Sequence, residues 1–427
     1  MNDNKTQETK RCSRCGRILP LDNFRFWRKP YYRSECRDCE AIYNKEYEAR
    51  KKEKNDDFRD NIEMLFKRKY KEIHPARILN LKETGLDIEL MGEDEIFVRL
   101  MDCSNTWISN YGRLIRQSYG KYNMLHGNGS ADGQAYTVRK PVYKDGEWIK
   151  TERTIYAAKT VIETFIVNPD IVNNKRVWHR GNDINDNYYK NLYPLTIEQY
   201  TVVLDHYERT GDDSEEYILK VMNDIRFKKK DWSRKSYNPT VCGVGYHGCS
   251  DADSKSDAYI KWKSMLERCY NRNCLRRAPQ YSDCTVCDEW LNFSNFRYWY
   301  EAHKYSAKSL SLDKDILMKG NRMYCPEFCA LVPKNINQLM IGSVGRDRGA
   351  FPIGVGKDKR YKNKYRAEMT VFGKDVKIGT YNSPEEAFLH YKEYKESFIK
   401  KVAEQNKGKI PFTVYDALKN WQVEITD

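Results

Sequence analysis

The chain of 427 residues carries 75 Lys and Arg against 61 Asp and Glu, a formal charge of +14, and only 40% of its residues are hydrophobic while 32% are charged. So long a chain with so thin an apolar fraction excludes one large enzyme core and implies two to four smaller domains. The basic excess favours a polyanion as partner. The first twenty residues hold no apolar stretch and no later run reaches the roughly eighteen apolar residues of a membrane span, so a cytosolic protein is expected.

Thirteen cysteines in a reducing compartment point to metal or packing rather than to disulfides. Cys12-x-x-Cys15 and Cys36-x-x-Cys39 are two knuckles that together offer four thiolates. That set closes a tetrahedral structural Zn2+ site, and a module of residues 1–45 is too short to fold on apolar burial alone. A charged run without Gly follows over 46–78 and reads as a helical connector.

Residues 79–205 turn to short β-like runs: EIFVRL, TWISNYGRLIRQ, AYTVRKPVYK and EWIKTERTIY, then a helix at AAKTVIETF and the stretch VWHRGNDINDNYYKNLYPLT at 177–196. Helical faces VVLDHY and YILKVM and a basic linker, KKKDWSRKSYNPT, occupy 206–240 with the end of the preceding region. Over 241–345 the elements are a helix at AYIKWKSMLERCY, then CTVCDEWLNFSNFRYWYEAH and LSLDKDILMKGNRMYCPEFCALVPKNINQLM. Cys284, Cys287, Cys325 and Cys329 lie here among apolar neighbours, and their uneven spacing favours packing over a second zinc. The last region, 346–427, shows three strand signals and then a helix opened by Ser383-Pro384-Glu385-Glu386, an N-cap with proline at the first helical position. The fold class expected is α+β, in several domains, ending in a three-stranded sheet backed by a helix on one face.

Gly354-Val355, KYRAEM at 364–369 and KIGTYNSPEEAF at 377–388 resemble the APETALA/ERF-type DNA-binding domain. The resemblance implies a sheet lying in the major groove of double-stranded DNA, with Lys357, Arg360, Lys364, Arg366 and Lys377 as the contacting residues. Lys377 stands where that family usually has tryptophan. WISNYGRLIR at 107–116, TVIETFIVNPD at 160–170 and the stretch at 177–196 resemble the NUMOD-plus-HNH arrangement of bacteriophage homing endonucleases. Residues KWKSMLERCY through PKNINQLM resemble the module that precedes the ERF-type domain in phage HNH proteins.

An HNH site is a ββα unit around one divalent cation, Mg2+ or Mn2+, with a histidine that takes a proton from the attacking water. The resemblance places His179 and Asn191 on the histidine and Asn-Leu positions, but Trp178 and Tyr200 on the two ligand positions. Asp183, Asp186 or Asn187 would have to supply a displaced cation site. The third region has the opposite half: Asp313 and Asn337 fall on the ligand positions, while Lys314 replaces the histidine and Phe328 the central asparagine. A lysine acts as base only where burial or a nearby cation lowers its pKa. The expectation is thus an HNH-type homing or nicking endonuclease. The alternatives are a non-catalytic DNA-binding protein or regulator built from degenerate HNH modules and, third, a binder of structured RNA.

Overall fold

A computed structural model describes residues 8–46 without 29 and 30, residues 48 and 49, 68–224 without 88 and 90, residue 227, 234–340 without 308, and 351–427 without 426. Most of the charged connector, residues 51–67, lies outside these. The chain separates into two compact units, Met1–Leu65 and Phe66–Asp427, and is α+β throughout. The domain boundaries expected near 205, 240 and 345 fall inside the second unit.

The first unit holds two antiparallel pairs, β1 (Thr9–Arg11) with β2 (Ile18–Pro20) and β3 (Phe24–Arg28) with β4 (Tyr31–Cys36), followed by a helix over 37–46, α1. Its core is Phe24 packed with Cys12, Cys36 and Cys39. So little apolar area cannot hold a fold by itself.

The second unit opens with a four-stranded sheet, β5 (Phe97–Arg99), β6 (Thr106–Ser109), β7 (Leu114–Ser118) and β8 (Lys121–Leu125), in chain order. The single run TWISNYGRLIRQ is therefore β6 and β7 joined by a tight turn, where Gly112 has φ +82. A three-stranded sheet follows, of β9 (Asn128–Ser130), β10 (Gly133–Lys144) and β11 (Glu147–Tyr156). Helix α2 (Ala157–Phe165) packs Val161, Ile162 and Phe165 against Val98, Ile108, Leu114 and Val138 of both sheets.

Two strand–strand–helix modules come next. In the first, β12 (Arg176–His179) pairs antiparallel with β13 (Leu192–Leu195), and α3 (Ile197–Thr210) packs on both. Thr196 and Gln199 close a reciprocal capping box that starts α3, and Gly211 ends it with φ +69. Helix α4 (Glu215–Asn223) completes a core of Trp178, Tyr193, Leu195, Val203, Ile218 and Val221. After α5 (Arg234–Tyr237) come α6 (Asp257–Tyr270), α7 (Arg272–Arg277), the two-residue β14 (Thr285–Val286), α8 (Asp288–Leu291) and α9 (Phe293–His303). Their core is aromatic: Trp262, Trp290, Phe293, Phe296 and Trp299. Cys284 and Cys329 belong to it, and Cys325 is likewise buried.

The second module pairs β15 (Leu310–Asp313) antiparallel with β17 (Ala330–Pro333), while β16 (Met323–Tyr324) between them runs parallel to β14, and α10 (Lys334–Met340) follows. The C-terminal sheet is β18 (Val355–Lys357), β19 (Tyr365–Val371) and β20 (Lys374–Tyr381), with α11 (Pro384–Gln405) across one face and α12 (Phe412–Lys419) beside it. Its core is not its own. Ile316, Ala330, Val332, Ile336 and Leu339 of the second module share one cluster with Val355, Ala367, Met369, Phe388 and Tyr391.

The expected helical connector does not extend through its described last part, residues 68–78. Residues 68–74 carry no helix, Pro75 begins only a single 3-10 turn, and Tyr70 bridges antiparallel to Ile166. Lys71 N donates to Phe165 O at 2.9 Å, so backbone pairing with the end of α2 overrides the charged pattern. Among the described residues no helix is long and apolar enough to cross a membrane.

Candidate functional sites

The sulfurs of Cys12, Cys15, Cys36 and Cys39 all lie within 4.8 Å of one another, and among the described residues they are the one His, Cys, Asp and Glu group placed to share an ion. The Cys15–Cys36 sulfur separation is 3.9 Å. A tetrahedron with metal–sulfur bonds of about 2.3 Å has edges of about 3.8 Å, so the donor set fits structural zinc. Backbone N–H groups, that of Cys15 foremost, lower Cys12 to about 6, and Arg17 lowers Cys15, with Nε donating to its sulfur at 3.3 Å. Burial pushes Cys39 up to about 12. A central cation would deprotonate all four.

The two ββα modules share one register. Trp178 lies opposite Tyr193, and Asp313 opposite Ala330. Seven positions beyond each partner, on the following helix, stand Tyr200 and Asn337. The four ligand positions expected from sequence are therefore equivalent in space, pair by pair.

Their chemistry differs. Trp178 is 1% exposed, donates Nε1–H to Asp213 Oδ2 at 3.1 Å, and meets Tyr200 edge to face with centroids 5.6 Å apart. An indole and a phenol ring in a packed core do not hold a hard divalent cation. The displaced donors are also engaged: Asp186 Oδ2 accepts from Asn191 Nδ2 at 2.6 Å, and Asp183 Oδ1 accepts from Asn185 N at 2.9 Å.

His179, 8% exposed, points away from that aromatic pair, as strand alternation requires. Burial lowers its pKa, with the adjacent Asn187 side chain opposing, so it is neutral at pH 7. Its Nε2 and Asn187 Oδ1 are buried and neither completes a hydrogen bond. Gly112 makes room for this arrangement, since a Cβ there would meet Asn187 Cβ at 2.5 Å. Asn191, expected to hold the hairpin, fastens its loop by donating Nδ2–H to Asp186. Asn187 is the neighbour of the imidazole, a role that sequence spacing did not single out.

In the second module Asp313 Oδ1 accepts from Asp315 N at 2.8 Å and Ile316 N at 2.7 Å, and burial raises its pKa against these bonds. Asn337 Oδ1 is buried and unpartnered. The two side chains offer oxygen donors of the type Mg2+ or Mn2+ takes. Lys314 is 6% exposed, and its ammonium donates to both Asp315 oxygens, at 2.8 and 2.9 Å, and to Asn321 O at 2.6 Å. All three donors are spent, which leaves no free amine to act as a base.

On the C-terminal sheet, Ala367 and Met369 face α11, so Arg366 and Glu368 face outward, Glu368 opposite Lys377. Arg366 pairs with Glu368 at 2.8 Å. Arg360, 64% exposed, and Lys377 both lie by the buried carboxylate of Asp358, at 3.4 and 3.9 Å. The Arg360 backbone N–H foremost, with Thr380 and the Arg360 side chain, holds that carboxyl down at about 2. Lys364 bonds to Asn382 at the sheet's end. Lys357 departs from the expected outer face: it is in register with Tyr365, opposite Tyr381, whose ring stacks on His390 of α11. Strand alternation puts it on the helix side of the edge strand.

No protein family, curated protein or solved structure matches this chain.

Proposed function

We propose that this chain is a double-stranded-DNA-binding protein of the HNH type, a homing or nicking endonuclease that hydrolyses phosphodiester bonds with a divalent metal. The doubled ββα unit carries this reading: one copy presents a neutral imidazole with a free Nε2, the other a pair of oxygen donors, in one shared register. Were the first module the working site, His179 would take the proton of the attacking water at Nε2, and Asn187 would steady the ring and accept a hydrogen bond from that water. Were the second module the working site instead, Asp313 and Asn337 would hold Mg2+ or Mn2+, which draws charge from the scissile phosphate when bound. The four-cysteine cluster holds structural Zn2+. The C-terminal sheet reads the duplex through Arg366 and Lys377, with Arg360 and Lys364 on phosphate.

A second reading is favoured by one observation, the Trp178–Tyr200 ring pair that fills both ligand positions beside the only histidine of the two modules' active positions. It makes the protein a non-catalytic DNA binder or regulator on retired nuclease modules. Supercoiled plasmid incubated with Mg2+ or Mn2+ separates the two. Nicking that depends on both the cation and His179 supports the first, and intact plasmid under every cation supports the second.

A further inference from the structure

The strap of residues 68–78 touches the same turn in both modules. In the first, the turn Tyr189–Asn191 brings the chain back to β13, whose Leu192 is the register partner of His179. Arg68, with a side chain 8% exposed, donates Nη2 to Tyr189 O at 3.2 Å, to Lys190 O at 2.7 Å and to Leu192 O at 3.2 Å. Its Nη1 meets Glu215 Oε1 of α4 at 2.7 Å, and its guanidinium lies 4.0 Å from the Tyr193 ring centre. A planar fork satisfies this many convergent acceptors where a lysine's compact ammonium does not.

Three residues on, the strap reaches the equivalent turn of the second module. Lys71 Nζ, 14% exposed as a side chain, meets Glu327 at 3.1 Å, Glu289 of α8 at 2.9 Å and Glu163 O at 2.8 Å. Phe328 follows Glu327 and stands two residues before Ala330, as Asn191 stands two before Tyr193. The His74 ring meets Phe328 edge to face at 5.4 Å, and the Arg77 guanidinium lies 5.8 Å over it. Arg77 is itself anchored on Arg99 O at 2.9 Å.

We infer that this strap is one positioning element for both ββα turns, in which Arg68 sets the backbone opposite His179 and Lys71 sets the backbone at Phe328. The site it positions is the one named under the proposed function, but the contacts stand without any cleavage. Arg68 touches no reacting atom. It acts through Leu192 and the turn before it, which fix the backbone opposite the buried imidazole.

The experiment is imidazole NMR titration of His179 together with amide hydrogen exchange, on the full chain carrying Arg68→Gln, Arg68→Lys or Lys71→Met. In Arg68→Gln the His179 pKa should rise toward the ordinary 6.5, and exchange in the turn before Leu192 should quicken by about tenfold or more, as loss of charge-assisted bonds implies. Arg68→Lys, which keeps the charge near Glu215, should give a smaller change of the same sign, and it serves where Arg68→Gln does not fold. Lys71→Met should free the turn at Phe328. A folded Arg68→Lys or Arg68→Gln protein with the parent's His179 titration and turn protection overturns the inference, since a merely stabilising residue would lower the melting point and leave that titration alone. Loss or absence of nuclease activity bears on the proposed function and not on this result.

Discussion

The rings of Trp178 and Tyr200 meet edge to face, 5.6 Å between centroids, at two positions whose counterparts in the neighbouring module are Asp313 and Asn337. The same backbone geometry thus supports an apolar contact in one copy and a pair of oxygen donors in the other. Restoring an acid at 178 does not restore a cation site, because the side chain there is a core residue with Asp213 already beside it. Trp178→Asp should unfold the module, and Trp178→Ala should cost about 3–5 kcal/mol in chemical denaturation. A folded Trp178→Asp protein that gains divalent-cation affinity would contradict this.

Cleavage, if supported by the parent protein with Mg2+ or Mn2+, should fall by about a hundredfold to ten-thousandfold in His179→Ala, with DNA affinity nearly unchanged, because a general base acts in the transition state. If the second module is the working site, Asp313→Ala should abolish the metal-dependent cleavage instead, because it removes a ligand of the cation. Equal rates in parent and His179→Ala, measured by plasmid nicking, assign the base elsewhere.

His179 also gives stability a pH dependence. Its folded pKa is depressed by burial, so its contribution is complete above about 6.5 and is lost as pH falls toward the folded value. His247 and His303, lowered by burial as well, add to the same slope. Urea titrations between roughly pH 7.5 and 5 should show stability falling with acid, and His179→Gln should make the fall shallower. An unchanged slope in that variant would place His179 in water.

Purified protein should carry about one zinc per chain, measured by elemental analysis. Cys12→Ser or Cys39→Ser should release it and unfold the Met1–Leu65 unit, whose core is mostly the cysteines themselves. The second unit should keep its far-ultraviolet spectrum.

Removing the C-terminal sheet whole would strip the cover from Val332, Ile336 and Leu339, so point variants are the sound test of DNA reading. Arg366→Ala should weaken specific binding by about 1–3 kcal/mol beyond its effect on random duplex, whereas Lys364→Ala should weaken both alike and lower the salt slope. Equal losses for both variants on both duplexes, in fluorescence anisotropy at one salt concentration, would refute base reading by this face.

What the sequence revealed depended on whether the signal was local. Two Cys-x-x-Cys knuckles can close one site wherever they fold, and the Ser383-Pro384 cap starts α11 through contacts within four residues. Gly354 in the Gly-Val pair was legible as a motif, but its reason is distant: a Cβ there would lie 2.1 Å from the Tyr391 ring. The helical reading of residues 68–78 failed because charge pattern says nothing of a bridge partner distant in sequence, Ile166 opposite Tyr70. The register of Lys357 with Tyr365 was not legible either, because a motif match does not fix strand parity. The equal register of the two modules was hidden too, since their loops differ in length and only the pairing aligns Trp178 with Asp313.

The cluster in which Val332 and Ile336 pack with Val355, Ala367 and Tyr391 makes the C-terminal sheet and the second ββα module one solid piece. A linker lets a recognition domain and its neighbour sample many separations along a helix, and the protected region then has blurred ends. A shared interior acts as a ruler. On DNA, the stretch covered by the sheet and the stretch covered by the module should be offset by a constant number of base pairs, with sharp footprint edges that inserting bases between them cannot accommodate.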